Sequence, residues 1–295
     1  MTAPGFVGGK TVEAPHSTGV EPPMTLAPIG ATDCHHHISD LRFPKPGGGQ
    51  VTPSTVSDYL VFKRRLGITR NIVIAASSYG DDNSCLVDAL RQLGSHQARG
   101  VALVHPDVNE QELDRLHEVG VRGLRFYLAK TRVPTVAELT KIASRAHQRG
   151  WHVQIVADRV KEVLVDWEAA LDALPCPVVI DHFGYAPQPD GEKSATGAVL
   201  RRLLDNGKTY VKLSAVYIQS KVGFPTYADM NPMAQALVQL APDRLLWGTD
   251  WPHPGAGATK PDGAQLFDQL TAWAPDAEVR KQILVDNPQR LYWAN

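Results

Sequence analysis

Two apolar patterns alternate along the chain. Short, near-continuous apolar runs occur at Asn71-Ile-Val-Ile-Ala-Ala76, Gly100-Val-Ala-Leu-Val104, Val121–Tyr127, Trp151–Ala157, Pro177–Gly184, Tyr210–Ala215 and from Arg244 onward. Their length and continuity predict strands buried on both faces. Between them lie amphipathic stretches with helical spacing. Helices are predicted over 54–66, 83–93, 109–119, 160–173, 196–206, 229–240, 263–273 and 276–291, and after Thr135, where Val136, Leu139, Ala143 and Ala146 form one apolar face. End signals agree. Ser54 or Thr55 can cap the first helix and Gly67 can end it, while Asn109 with Glu112 and Thr135 with Glu138 resemble capping boxes.

With a first strand over Ala31–His37, this makes eight strands, each followed by a helix. The expected fold is α/β, a single (β/α)8 TIM barrel over residues 31–295. An open doubly wound sheet is the alternative. No Gly-x-Gly-x-x-Gly follows a strand and no P-loop appears, which weighs against it. Residues 1–30 are rich in Pro and Gly and lack the basic and apolar regions of a secretory signal, so they are expected to form a flexible N-terminal extension. Phe43–Gln50 reads as a loop.

Composition narrows the function classes. The apolar fraction of 43% and charged fraction of 21% are ordinary for a globular chain, and a net charge of −1 gives no electrostatic basis for nucleic acid or an anionic membrane. No apolar run is long enough to span a bilayer. Cys34, Cys85 and Cys176 are too scattered for a disulfide framework or a thiolate zinc site. A cytoplasmic location fits this.

A barrel places its chemistry at the C-terminal ends of its strands. Polar residues do gather there: His35 and His37, Ser77-Ser78-Tyr79, His105 and Asp107, Arg125 and Tyr127, Asp181 and His182, and Asp250. In Asp33-Cys-His-His-His37, strand alternation should point Asp33, His35 and His37 one way and His36 the other. Two imidazoles at a strand end can hold a metal or polarise a carbonyl. Lys130 and Arg132, after the fourth strand, read as a solvated loop, and Trp247 and Trp251 as packing residues.

Asp33-Cys-His-His-His37, Ile180-Asp-His-Phe-Gly184 and Leu246-Trp-Gly-Thr-Asp-Trp-Pro-His253 are similar to segments of the amidohydrolase superfamily. More narrowly, the chain resembles the branch containing 2-pyrone-4,6-dicarboxylate lactonase and galactarolactone isomerase, over roughly residues 30–293. The resemblance implies that His35, His37, His182 and Asp250 are catalytic, that Arg125 receives a substrate carboxylate, and that the protein opens a small carboxylated lactone without a metal. The superfamily's strand 4 bridging lysine is replaced by Arg125, which removes the basis for a two-metal site. The lactonase's arginines beyond strands 6 and 7 are absent, with Phe183-Gly-Tyr185 and Ala215-Val-Tyr-Ile218 in their places, which argues against a rigid pyrone dicarboxylate. The isomerase carries Asn where this chain has Asp250, so the match favours hydrolysis.

The expected activity is therefore hydrolysis of a small anionic lactone from sugar-acid or aromatic catabolism. Asp250 would activate water, the three histidines would polarise the carbonyl, and Arg125, Tyr127, Ser78 and Tyr217 would bind substrate. No cofactor is the first expectation, with one divalent Zn or Mn on His35, His37, His182 and Asp250 as the alternative. Alternative activities are a mononuclear metal-dependent hydrolase or decarboxylase, a sugar-lactone isomerase, and a ligand-binding barrel that has lost catalysis. The sequence leaves the oligomeric state open.

Overall fold

A computed structural model of the chain describes residues 14–48, 50–129 and 132–294. Its eight strands are β1 (Thr32–His36), β2 (Arg70–Ile74), β3 (Ala98–Leu103), β4 (Val121–Tyr127), β5 (His152–Val156), β6 (Val178–Ile180), β7 (Thr209–Leu213) and β8 (Leu245–Trp247). They pair in parallel in chain order. A bridge between His36 and Trp251 joins the last strand's extension to the first and closes the ring. The outer layer is α1 (Val56–Leu66), α2 (Ser84–Leu93), α3 (Glu110–Glu118), α4 (Val136–Gln148), α5 (Leu164–Asp172), α6 (Ala195–Asp205), the single turn α7 (Val216–Gln219), α8 (Asn231–Leu240), α9 (Gly263–Trp273) and α10 (Ala277–Lys281). The fold is the TIM barrel that the apolar pattern predicts.

Local chemistry sets the helix ends. Thr55 and Asp58 form a reciprocal capping box at α1, and Thr135 with Glu138 forms another at α4. Asn109 makes only the forward half, its side chain accepting from the Glu112 N–H. The C-terminal helix expected over 276–291 is not uniform. Beyond α10 it continues in two wide turns, Gln282–Asp286 and Gln289–Trp293. Pro288 lies between them, has no N–H to donate and would clash with the carbonyl four residues back.

The core has two shells. Between sheet and helices lies the larger apolar layer, which includes Trp151, Trp247 and Trp251. Inside the barrel, Cys34, Ile72, Ile74, Val101, Val179 and Leu246 pack onto Leu291 and Tyr292 from the C-terminal segment. Tyr292 meets the ring of His152, at the start of β5, edge-on. The bottom of the barrel is thus sealed, leaving the opposite rim for chemistry. All three cysteines are buried and unpaired. Among the described residues no helix is long and apolar enough to cross a membrane.

Residues 14–30 have no helix or strand, in keeping with their Pro and Gly content, yet they are tied to the barrel. Trp251 Nε1 donates to the Pro15 carbonyl at 2.8 Å, the Thr18 N–H donates to Pro261 O at 3.3 Å, and Asp268 accepts from the Met24 and Thr25 amides. Residues 1–13 lie outside the described residues.

Candidate active site

Site geometry begins with a register break in β1. Asp33 pairs with Asn71 but His36 pairs with Val73, so three steps on β1 match two on β2. This bulge overturns the expected alternation. Asp33 does not share a face with His35 and His37. It turns outward with His36, whose ring stacks on Tyr59 at 3.6 Å between centroids, while His35 and His37 face the cavity. Asp33 instead accepts from the His35 N–H (3.1 Å), the Thr249 N–H (2.9 Å) and hydroxyl (2.7 Å), and the Tyr59 hydroxyl (3.0 Å). Burial pushes its carboxyl up to about 6 against these bonds. Its role is to lock β1 to the end of β8.

The Trp-Gly-Thr-Asp-Trp run explains itself residue by residue. A side chain on Gly248 would lie 2.6 Å from the His35 Cβ, so only glycine lets β8 pass β1 here. Thr249 grips Asp33. Asp250 adopts φ 58°, which swings its carboxylate inward, and its N–H donates to His35 O at 2.8 Å. Trp247 and Trp251 pack against the outer helices, as expected of packing residues. Strand β6 ends in a similar device. His182, Phe183, Gly184 and Tyr185 all have positive φ, and this left-handed turn aims His182 at the same point.

Four side chains converge there. His35 Nε2 is 3.3 Å from His37 Nε2, and Asp250 Oδ1 is 3.4 Å from His35 Nε2, 3.5 Å from His37 Nε2 and 3.9 Å from His182 Nε2. The far nitrogens are occupied. His37 Nδ1–H donates to the Ile74 carbonyl at 2.9 Å, which leaves its Nε2 as an acceptor in the neutral ring, and His182 Nδ1 meets Ser214 Oγ at 2.8 Å. Electron-rich atoms this close require a proton or a cation among them. Although burial raises the Asp250 carboxyl, the imidazoles of His182, His37 and His35 outweigh it and hold the group well below the usual carboxylate range. Burial lowers His35 strongly and His182 to about 4.

Beneath the cluster lies a charged layer that sequence reasoning missed. Lys212, fully buried on β7, donates to Gln154 Oε1 at 2.7 Å. Its Nζ is also 3.3 Å from His35 Nδ1 and 3.4 Å from Asp181 Oδ1. Asp181 Oδ1 is itself 3.3 Å from His35 Nδ1. That nitrogen therefore hydrogen-bonds with the Lys212 ammonium and lies beside the Asp181 carboxylate. The signal was a lysine in the middle of the apolar run Tyr210-Val-Lys-Leu-Ser214.

Arg125 donates through Nε and Nη2 to Asp181 Oδ2 at 3.1 and 2.9 Å and through Nη1 to the Tyr127 hydroxyl at 3.0 Å. Both residues border a cavity of about 640 Å³ that opens above the cluster, as do His37, His182, Asp250 and Ser78. Tyr217 is not among the residues that border this cavity. Its hydroxyl donates to Asp250 Oδ2 in a short hydrogen bond and fixes the carboxylate. His105 and Asp107 are exposed and outside the cavity lining, and Arg132 pairs with Glu138 and His105 on the rim. Lys130 lies outside the described residues. His16, Arg159 and Lys260 also border the cavity and were not singled out from sequence.

A buried His/His/His/Asp cluster at the C-terminal rim of a TIM barrel is a hydrolytic type of site. The family model described as amidohydrolase matches residues 32–293, and the chain belongs to that family. It is 37% identical to a 2-pyrone-4,6-dicarboxylate hydrolase of Comamonas testosteroni, covering 92% of each chain. A 4-sulfomuconolactone hydrolase of Rhizobium radiobacter is 34% identical over the same shares. Among solved structures, an apo protein of Agrobacterium tumefaciens superposes with a TM-score of 0.85 at 28% identity, covering 95% of this chain and 99% of the other.

Proposed function

We propose that the protein hydrolyses a small anionic lactone, with Asp250 taking a proton from the attacking water. The observation that carries this reading is the convergence of Asp250 Oδ1 with the Nε2 atoms of His35, His37 and His182 at the floor of a cavity bordered by Arg125. Its relatives named as lactone hydrolases support it. Asp250 stays ionised across the physiological range, so an acceptor is always present, and the Tyr217 bond leaves Oδ1 as the oxygen facing the histidines. His35 and His182, whose Nε2 atoms are free to carry the ring proton, are placed to donate to the ring carbonyl oxygen as it gains charge. Arg125 has N–H groups left beyond those given to Asp181 and Tyr127, and these can take a substrate carboxylate.

The donor set also fits a single divalent cation. His35, His182 and Asp250 offer ligand atoms within 4.8 Å of one another, and His37 Nε2 adjoins them. Three donor separations, at 3.3–3.5 Å, match the edge of roughly 3.3 Å in a tetrahedron with metal–ligand bonds of about 2.0–2.1 Å, while Asp250 to His182, at 3.9 Å, is wider. Such an ion, Zn or Mn by donor type, would supply Lewis-acid polarisation of the carbonyl and a more acidic water. The outer bonds of His37 and His182 would orient the rings in either case.

The test is single-turnover hydrolysis of a lactone panel by wild type and Asp250→Asn. The near-isosteric change should keep the fold and slow hydrolysis by about 100- to 10,000-fold, the share of a positioned base. A folded variant with near wild-type turnover would remove Asp250 from the chemistry. Elemental analysis of protein purified without chelator decides the metal. Stoichiometric Zn or Mn, with activity lost on removal and restored on return, would establish a metal-dependent hydrolase.

A further inference from the structure

Lys212 stands behind the hydrolytic cluster, fully buried on β7 inside the barrel. A lysine ammonium has N–H groups to donate and no acceptor. One N–H goes to Gln154 Oε1 at 2.7 Å, and another meets His35 Nδ1 at 3.3 Å. Asp181 Oδ1 is 3.3 Å from the same ring nitrogen, yet it has no hydrogen-bond partner among the described residues, so the carboxylate does not claim a proton there. Nδ1 is therefore the acceptor, and the proton of the neutral His35 ring is on Nε2.

The other side of the ring agrees. His35 Nε2 is 3.3 Å from His37 Nε2 and 3.4 Å from Asp250 Oδ1. His37 gives its own N–H to the Ile74 carbonyl, so both neighbours are acceptors and a proton on His35 Nε2 lies between two lone pairs. Histidines that hold a metal are built the other way round: the far N–H goes to a carboxylate or carbonyl, and the near nitrogen is bare. His37 has that arrangement. His35 has a carboxylate close by, but an ammonium takes the hydrogen-bonding position.

From this we infer that Lys212 is a positioning residue: by donating to His35 Nδ1 it keeps the His35 proton on Nε2, which makes the ring a donor toward the cluster and a poor ligand for a cation. This rests on the lactone-hydrolase reading for what the donor serves but not for where the proton sits. Without the ammonium, Asp181 is the partner left for Nδ1. The proton then moves to that side, and the Nε2 lone pair joins those of His37 and Asp250. One buried lysine thus sets the balance between a hydrogen-bonding cluster and a cation-binding one.

The proton can be read directly. In chelator-treated protein carrying isotope-labelled histidine, long-range proton–nitrogen NMR spectra distinguish protonated from bare ring nitrogens, and His35→Gln identifies the His35 signals. Wild type should show Nδ1 bare and Nε2 protonated. In Lys212→Met the Nδ1 signal should move toward the protonated position, and calorimetric titration with zinc chloride should show affinity raised by roughly 10- to 100-fold, the range for a changed partner behind a metal-binding histidine. A wild-type ring protonated on Nδ1 overturns the assignment whether or not the variant folds. So does tighter zinc binding with the His35 signals unmoved, which reports the lost charge alone. Lactone hydrolysis by chelator-treated Lys212→Met should lose about 100- to 1,000-fold in kcat, the share of one oxyanion donor, with KM unchanged. If the spectra behave as stated but wild type hydrolyses no lactone, the activity assignment falls and the role of Lys212 stands.

Discussion

Removing Asp181 should damage the fold more than removing Lys212, although the two face each other in the barrel. Among the described residues, Asp181 is the one carboxylate paired with the buried cations Arg125 and Lys212. Arg125 reaches its Oδ2 at 2.9 Å and Lys212 its Oδ1 at 3.4 Å, with every side chain involved at most 4% exposed. Burial alone would raise its carboxyl, but Lys212, His35 and Arg125 hold it well below the usual range. Asp181→Asn preserves shape and leaves two cations without a counter-charge. Breaking a buried pair in this way costs about 3–5 kcal/mol, a large share of the roughly 5–15 kcal/mol that stabilises a domain. Lys212→Met leaves the Arg125–Asp181 pair neutral and intact. Its main cost is the orphaned Gln154 Oε1, about 1–3 kcal/mol for an unsatisfied buried acceptor. Urea unfolding near neutral pH, followed by tryptophan fluorescence, measures both. The double variant should cost less than the sum, because it removes one of the two orphaned cations. If Lys212→Met destabilises as much as Asp181→Asn, the charge layer is not balanced on Asp181 and the reasoning fails.

Asp33→Ala should lower stability by at least about 3 kcal/mol, since each orphaned buried donor costs roughly 1–3 kcal/mol and four lose their acceptor; an unchanged melting temperature would show that the β1–β8 lock is dispensable. Arg125→Ala should raise KM for an anionic lactone at least about tenfold, with a smaller effect on kcat, as expected for a charged hydrogen bond; an unchanged KM would assign Arg125 to Asp181 alone. Acid should destabilise the protein well above the pH at which ordinary carboxylates titrate. Burial lowers His152 and His253 to about 3 and His182 to about 4, so below pH 6.5 the unfolded chain binds protons that the folded chain refuses. Their contribution is complete above pH 6.5 and is lost as pH falls, by about 1.4 kcal/mol per pH unit for each histidine. Asp33, raised to about 6, works in the opposite sense between pH 6 and 4 and offsets one of the three. Urea midpoints that stay flat between pH 6 and 4.5 would contradict this.

How far the sequence could be read follows from which forces act locally. Strands and helices declared themselves through apolar periodicity and caps, and the barrel order followed from their alternation. His35, His37, His182 and Asp250 stood out because a strand-end position and a distinctive motif coincide at each. The facing of Asp33 was misjudged because alternation holds only for an unbroken ladder. The bulge at Asp33–His36 depends on Asn71 and Val73 of a strand more than thirty residues away. Tyr217 read as a substrate binder because its distance from Asp250 depends on how the turn after β7 packs under β8.

Lys212 and Arg159 show two further limits. A lysine inside an apolar strand is costly unless something pairs it, and its partners Asp181, just past the end of β6, and Gln154, on β5, are distant in sequence, so only the closed ring reveals why it is tolerated. Arg159 was not singled out by its position in the sequence. Its significance depends on Gly255, nearly a hundred residues later, leaving room for the guanidinium against the β8–α9 segment. The same closure that assembles the histidine cluster thus also decides which surface cations face the cavity. Counting arginines along the chain cannot substitute for knowing where the ring brings them. Arg125, Arg159 and Lys260 thus reach the cavity from β4 and from the loops after β5 and β8, while the histidine and aspartate cluster comes from the strand ends of β1, β6 and β8. Substitutions in the loops should therefore change ligand preference separately from the rate of the chemical step.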